Sequence, residues 1–508
     1  MSKRALLLVI LPMLVFSLAG ISYGWQGRMG GMEDPYGLVE DESDFLTHPA
    51  KVANGEGVRF YLDYRFLCTE VIGWDFAINH FTPGGVLTGS EKDDVSNEDL
   101  RHDVMAGAAF PLGQGRMGLF FTYSAFRGGT LFDGDYINSS GGSALLETKN
   151  VVNDFALRVL YGMPIGGFKL GAEAQMAYHL EEQEANVYTP TDTLLNFYSW
   201  PTPITVYAYP YDSSYWEALF KGSLERKIGP LDLEFTLRGG FDFGGQTKWS
   251  FDQQQPPGTP FAGFVTKGDV QGWQLGEDLW LRYPLAMDLT LPFLVRVDYR
   301  QKARDGEGPG SGIEAGNTLD NQDKAKNLAI TVGGGLDKAF GKATRIAAGI
   351  YYNYLQERED FSLLTIQPLT WENDDTNYPD TVEHQLLLRM AGEHTLSPTV
   401  ALRAGLSLFY GWVKANNDST HTDNTGFLDI NRGSDHGSHW GIGASVGGTI
   451  LWKAFTLEPF MNCGFQQLHL QGDGERLDNI VGLYELHEEE FPRNEWYLGI
   501  GFSVLFNI

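Results

Sequence analysis

From Trp496 to Ile508 the chain alternates without a break. Trp496, Leu498, Ile500, Phe502, Val504, Phe506 and Ile508 are apolar, and Tyr497, Gly499, Gly501, Ser503, Leu505 and Asn507 stand between them. A period of two belongs to a strand with one face in an apolar medium and the other in a wet or crowded one. The pattern recurs over 57–70, 102–110, 116–126, 152–162, 167–179, 215–226, 231–242, 273–283, 288–300, 326–338, 343–355, 383–393, 399–410, 439–451 and 455–467. With 494–508 that makes sixteen segments. The clearest, 288–300, sets Leu289, Leu291, Phe293, Val295, Val297 and Tyr299 against Asp288, Thr290, Leu294, Arg296, Asp298 and Arg300. Pro292 and Pro459 mark bulges or local unpairing within their strands.

The connections sort into two kinds. Seven are short, at 111–115, 163–166, 227–230, 284–287, 339–342, 394–398 and 452–454. Eight are long, at 71–101, 127–151, 180–214, 243–272, 301–325, 356–382, 411–438 and 468–493. Strict short–long alternation describes an up-and-down meander with two unlike rims, and no blade-length repeat supports a propeller. Outer-membrane barrels have short periplasmic turns and long extracellular loops. The final strand resembles the terminal strand of bacterial outer-membrane β-barrels, and that resemblance makes Trp496, Phe502, Phe506 and Ile508 an insertion signal. The expectation is an all-β, transmembrane, antiparallel barrel of about sixteen strands (range 14–18) spanning 57–508. Residues 1–24 read as a cleaved signal peptide, with Lys3 and Arg4 before an apolar core and Ser22-Tyr23-Gly24 at the cleavage site. Cys68 and Cys463 fall on the first and fifteenth strands, which are not neighbours, so no disulfide is expected.

Placing the apolar parity outward leaves Arg59, Arg65, Arg158, Arg238, Arg282, Arg296, Arg300, Arg345, Arg389 and Arg403 inside. Asp63, Asp154, Glu173, Asp232, Glu234, Asp278, Asp298, Glu393 and Glu458 accompany them, and Arg226 alone falls outward, at a rim. Arginine on the lipid face at mid-bilayer costs about 2–4 kcal/mol, so lipid exposure demands this sorting. The inward set reads as the lining of a pore. Sixteen strands enclose more space than side chains fill, so a channel follows unless something plugs it.

In strand number, loop position and charge segregation the chain resembles the general diffusion porins, though it lacks their Pro-Glu-Phe-Gly-Gly loop segment. The resemblance implies that loop 180–214 folds inward as a constriction, with Glu181, Glu182, Glu184 and Asp192 facing the basic wall. It also implies passive diffusion of small polar solutes or ions, and a homotrimer. Residues 25–56 do not alternate and are expected to be periplasmic or inserted in the lumen. Within them, Asp44-Phe45-Leu46-Thr47-His48-Pro49-Ala50 resembles the Asn-Pro-Ala-Gly segment preceding the barrel of long-chain fatty-acid transporters, with His48 at the Asn position and Lys51 at the Gly position. That resemblance implies the alternative: a gated transporter of hydrophobic compounds, with 14 strands, an apolar pocket under the loops and 25–56 as a hatch. A third reading is a structural sheath for a periplasmic partner.

The formal charge of −28 argues against nucleic acid as a partner. The long connections hold 39 Asp or Glu against 14 Lys or Arg, so lipopolysaccharide around them would need bridging divalent cations. No hydrolase, metalloprotease, P-loop or haem-attachment motif is present; the chain is expected not to be an enzyme and to need no cofactor.

Overall fold

The computed structural model describes residues 42–81, 87–135, 144–189, 204–208, 211–255, 259–286, 288–312, 318–366, 372–422, 428–478 and 483–507. The signal-peptide reading of 1–24, Asp192 and Ile508 therefore lie outside the described residues. Two 3-10 turns, Glu42–Leu46 and Pro49–Asn54, precede the strands. The strands are β1 (Arg59–Phe81), β2 (Leu87–Leu112), β3 (Gly115–Asp135), β4 (Ala144–Ile165), β5 (Phe168–Thr189), β6 (Ile204–Ala208), β7 (Tyr211–Ile228), β8 (Leu231–Gln255) and β9 (Thr259–Gly268). They continue as β10 (Val270–Ala286), β11 (Leu289–Gly312), β12 (Thr318–Phe340), β13 (Thr344–Ile366), β14 (Glu372–Ser397), β15 (Val400–Thr422), β16 (Leu428–Trp452), β17 (Phe455–Asp478) and β18 (Leu483–Asn507).

Neighbouring long strands pair antiparallel in chain order, and β18 returns to β1 along a ladder from Arg59↔Asn507 to Phe81↔Leu486. β6 and β9 are short insertions at the long-connection rim, so sixteen staves form a closed barrel. Closure leaves no open sheet edge in the hydrocarbon, which lipid requires; the ladders break locally at Leu291–Pro292 and at Glu458–Pro459. Every one of the sixteen alternating segments is a stave.

Alternation sorts the two faces. Leu157, Leu275, Ile350, Leu402, Leu498 and Ile500 point outward and are exposed although apolar. Trp216, Trp273, Trp412, Trp440 and Trp496 border this band on one side, and Tyr283, Phe340, Trp452 and Phe455 on the other. An apolar band between aromatic rings on a closed barrel is the surface of an outer-membrane protein. At the short-turn rim, Leu112↔Gly115, Ile165↔Phe168 and Ile228↔Leu231 close two-residue turns. Gly113, Gly166, Gly167 and Gly229 take positive φ there, which glycine adopts without strain.

The opposite rim corrects an expectation. Most of each long connection is strand, not loop: β13 and β14 stay paired to Ile366↔Glu372, and β15 and β16 to Thr422↔Leu428. These extensions carry polar residues on both faces, so no hydropathy alternation announces them. Glu181, Glu182 and Glu184 are likewise wall residues of β5, paired with Val152, Val151 and Lys149 of β4. They do not lie on a constriction loop. Cys68 and Cys463 both pair with Leu498, one from each side of β18, and are not joined in a disulfide.

The lipid face predicts an asymmetric penalty. Ile500→Arg, at a 46 % exposed outward position, should lower folding stability in bilayers by about 2–4 kcal/mol. Urea titration of the barrel refolded in vesicles would measure it, and an unchanged midpoint would contradict the orientation.

Candidate functional site: an N-terminal plug in the lumen

The lumen is not an empty water-filled duct. Residues 42–54 sit inside it near the short-turn rim and touch staves from β18 through β1 to β8. Asp44, Phe45, Leu46, His48, Pro49, Ala50, Lys51 and Val52 are buried.

Two kinds of contact hold the segment. The first is apolar. Phe45, Leu46 and Val52 form one buried cluster with the inward side chains Tyr61, Met105, Ala109, Phe120, Leu160 and Leu505. The Phe45 ring lies 5.5 Å from Tyr61 and 5.3 Å from Phe120. The second is ionic. Lys51 Nζ donates to Asp44 Oδ2 at 2.8 Å and lies 3.0 Å from Glu234 Oε1. Arg158 donates to the Leu46 carbonyl at 2.7 Å and Lys221 to the same oxygen at 3.1 Å, while Arg158 Nε holds Glu173 at 2.8 Å. His48 Nδ1 meets Thr236 Oγ1 at 2.6 Å, and the Ala50 N–H donates to Ser223 Oγ at 2.6 Å.

The wall is shaped for this backbone. Gly162 and Gly171 pair across β4 and β5. A Cβ on Gly162 would lie 2.6 Å from Val52 Cγ1, and one on Gly171 would lie 2.0 Å from the Ala50 nitrogen. The second obstacle is main chain, which no rotamer change relieves.

The inward arginines stand where alternation places them, and most share carboxylates. Arg238 bonds Asp278 and Asp298 at 2.7 Å each, and Arg296 bonds Asp278 at 2.7 Å. Arg282 bonds Glu234. Arg300 reaches Glu217 and Asp242, Arg345 pairs with Asp337, and Arg403 joins Glu393 to Glu458. Arg59, Arg65, Arg389 and Asp63 also face the lumen, with Ser503 donating to Asp63 at 2.8 Å. Asp154 pairs with His179 at 2.7 Å. Arg304 of β11 crosses to Glu181 of β5 at 3.4 Å, so an acidic residue assigned to a loop serves in the wall lattice. Arg226 lies outward at the rim with its guanidinium 4.2 Å over the Phe168 ring. Trp496 and Phe502 are exposed on the lipid face, and Phe506 packs on Phe455 with centroids 4.6 Å apart.

Sequence reading missed the apolar nest. Its signal was present: Tyr61, Met105, Phe120, Leu160 and Leu505 are large apolar residues at inward parity, where a wet pore favours polar ones. A second inward apolar group, Trp280, Leu294, Ala347, Tyr351, Leu387 and Ala391, lines β10 to β14. The wall also has a notch. The β8–β10 ladder ends at Gly272↔Asp242, and the β8–β9 ladder starts at Thr247↔Gly268. Between them lies a cavity of about 560 Å³ bordered by Asp242, Phe243, Gly245, Val270, Trp273 and Gln301.

No protein-family model matches the chain, and no curated protein matches it. Solved structures resemble it in fold. A Pseudomonas aeruginosa FadL homologue is 10 % identical, with TM-score 0.41 over 95 % of this chain and 98 % of its own. The P. putida toluene transporter TodX is 11 % identical, with TM-score 0.34 over 92 % and 95 %. The Ralstonia pickettii toluene transporter TbuX is 12 % identical, with TM-score 0.33 over 96 % and 99 %.

Two outcomes follow from the plug's contacts, both read by a cysteine at Val52 in a Cys68→Ser, Cys463→Ser background. Gly171→Ala should expel 49–51 and raise the labelling rate at least tenfold; an unchanged rate would mean that the cradle does not hold the segment. Burial first, then the Lys51 ammonium, lowers the His48 pKa from 6.5 to about 3. The released segment therefore binds more protons between those values. Docking is complete above pH 6.5 and weakens as pH falls towards 3. Going from pH 7.5 to 5 should cost docking about 2 kcal/mol, read as faster labelling that His48→Gln makes less steep.

Proposed function

We propose that this barrel is a gated outer-membrane transporter for hydrophobic or amphipathic small molecules, with residues 42–54 as its hatch. The observation that carries the reading is the apolar nest around Phe45, Leu46 and Val52. A diffusion pore for polar solutes gains nothing from an oily pocket filled by the chain itself. A pocket that binds Phe45 in the resting state can bind an apolar solute in its place. The inward group around Trp280, Leu294 and Tyr351 gives such a solute further apolar surface along the wall. The notch between β8 and β10 lies at the level of the upper aromatic ring, beside Trp273, and would offer a sideways route once Val270 moves.

The porin reading keeps one point in its favour. Sixteen staves match a diffusion porin, whereas the hydrophobic-transporter reading expected 14. The contents of the lumen favour the transporter reading. Arg158, Lys221, Glu173, Glu234 and Lys51 are engaged with one another and with the hatch, and so are not free to set a field across an open pore. Small polar solutes, a homotrimer and lipopolysaccharide contacts remain with the porin reading.

Planar-bilayer recording with the purified full chain separates the two. The hatch reading expects little steady conductance from the wild type, and large conductance after Phe45→Asp together with Lys51→Glu. Entry of N-phenyl-1-naphthylamine into cells should depend on the wild-type barrel. Large ohmic conductance with the hatch unaltered, and no effect on dye entry, would overturn the proposal in favour of a porin.

A further inference from the structure

The lipid face carries one misplaced charge. Glu277 points outward on β10, in register with Leu237 of β8 and Val297 of β11, and between Leu275 and Leu279 of its own strand. It is exposed, and it makes no hydrogen bond or ion pair among the described residues. Trp273 of the upper aromatic ring lies four residues away and Tyr283 of the lower ring six. At about 3.3 Å per residue and a tilt near 45°, the carboxyl lies about 9 Å below one ring and about 14 Å above the other. Among the described residues the other charge on the outward face within the band, Lys338 of β12, sits two residues from Phe340 at the lower ring, over whose face its ammonium lies and within 4.0 Å of Asp288; Glu277 lies deeper and has no such partner. The sorting that hides every neighbouring charge in the lumen fails here. An ionisable group in hydrocarbon implies a partner at the same depth.

We propose that Glu277 marks the contact point of a two-fold dimer of this chain, in which the two Glu277 carboxyl groups hydrogen-bond to each other through a shared proton. The chain's own lipid face argues for a second copy. At the depth of Glu277 it offers no Lys or Arg to a head-to-tail neighbour among the described residues, since Lys338 lies down against Phe340 of the lower ring. His102, the other outward ionisable group at comparable depth, already meets the Tyr64 hydroxyl at 3.1 Å. It also lies six staves from β10, which a two-fold contact cannot bring to the same point. An isologous contact needs no cation, because each copy brings the same group. Strand tilt narrows the geometry further. About an axis normal to the membrane, β10 crosses its counterpart at roughly 90°, twice the tilt, so contact concentrates at one place on the strand. Leu237, Leu275, Leu279 and Val297 ring Glu277 and would keep lipid tails and water from that crossing.

Cysteine crosslinking of the full chain in lipid vesicles tests the axis. In the Cys68→Ser, Cys463→Ser background with Glu277 kept, Leu279→Cys should give a covalent dimer with a short bis-maleimide. The yield should exceed that of Ile350→Cys, also outward but on β13, at least tenfold. Equal yields would overturn the proposal, as would a Leu279→Cys chain that crosslinks to a His102→Cys chain instead of to itself. Sedimentation in matched detergent gives a second reading. Wild type and Glu277→Gln, whose amides can still pair, should be dimeric, and Glu277→Leu should dimerise at least tenfold more weakly. A monomeric wild type, or a Leu variant that dimerises equally well, would end the idea.

Discussion

Pairing of the backbone in a medium without water governs this molecule. An open sheet edge in hydrocarbon would leave a row of unmet amides and carbonyls, so β1 must find β18 and the sheet must become a cylinder. Once it closes, each residue has only two destinations, lipid or lumen, and parity alone assigns them. Arg158 and Leu157 are neighbours in sequence and opposites in surroundings for this reason: one is among the most buried side chains and the other 54 % exposed. Gathering so many guanidinium groups inside creates the second problem, which is how to compensate them.

The lattice answers with shared carboxylates. Asp278 serves Arg238 and Arg296; Glu234 serves Arg282 and Lys51. Removing one partner of a buried ion pair leaves an unmatched charge, which is more damaging than the pair itself is stabilising. The N-terminal segment is thus tied to the wall on two unlike terms. Its Phe45 and Leu46 side chains are held by exclusion of water, and its Asp44–Lys51 edge by charges that water would screen. A solute that displaces the first edge still faces the second.

Much of the architecture was legible in the chain. Segments such as 288–300 and 494–508 announce their faces because lipid tolerates so few exceptions, and the short turns follow from tight pairing at one rim. The long connections misled for the converse reason. Above the membrane both faces of a strand are wet, so the paired extension from Leu355 to Ile366 carries no hydropathy signature. Glu181, Glu182 and Glu184 were read as a loop on that account. The site was half visible. Inward arginines could be assigned from parity, and Asp44 to Ala50 resembled a known hatch. That residues 42–54 are docked depends on inward Tyr61, Phe120 and Leu160 meeting across several staves, a juxtaposition no local pattern encodes.

Only residues 55–58 separate the plug from β1. A tether that short fixes the local concentration of Phe45 and Leu46 at the nest on the order of millimolar or above. Release is therefore never escape: the segment swings aside, stays within reach and competes at once for re-entry. If the nest takes a solute, as proposed, one arriving at micromolar levels must bind it about a thousandfold more tightly than the tethered side chains do in order to hold it. The resting barrier is set as much by four residues of linker as by any contact the plug makes.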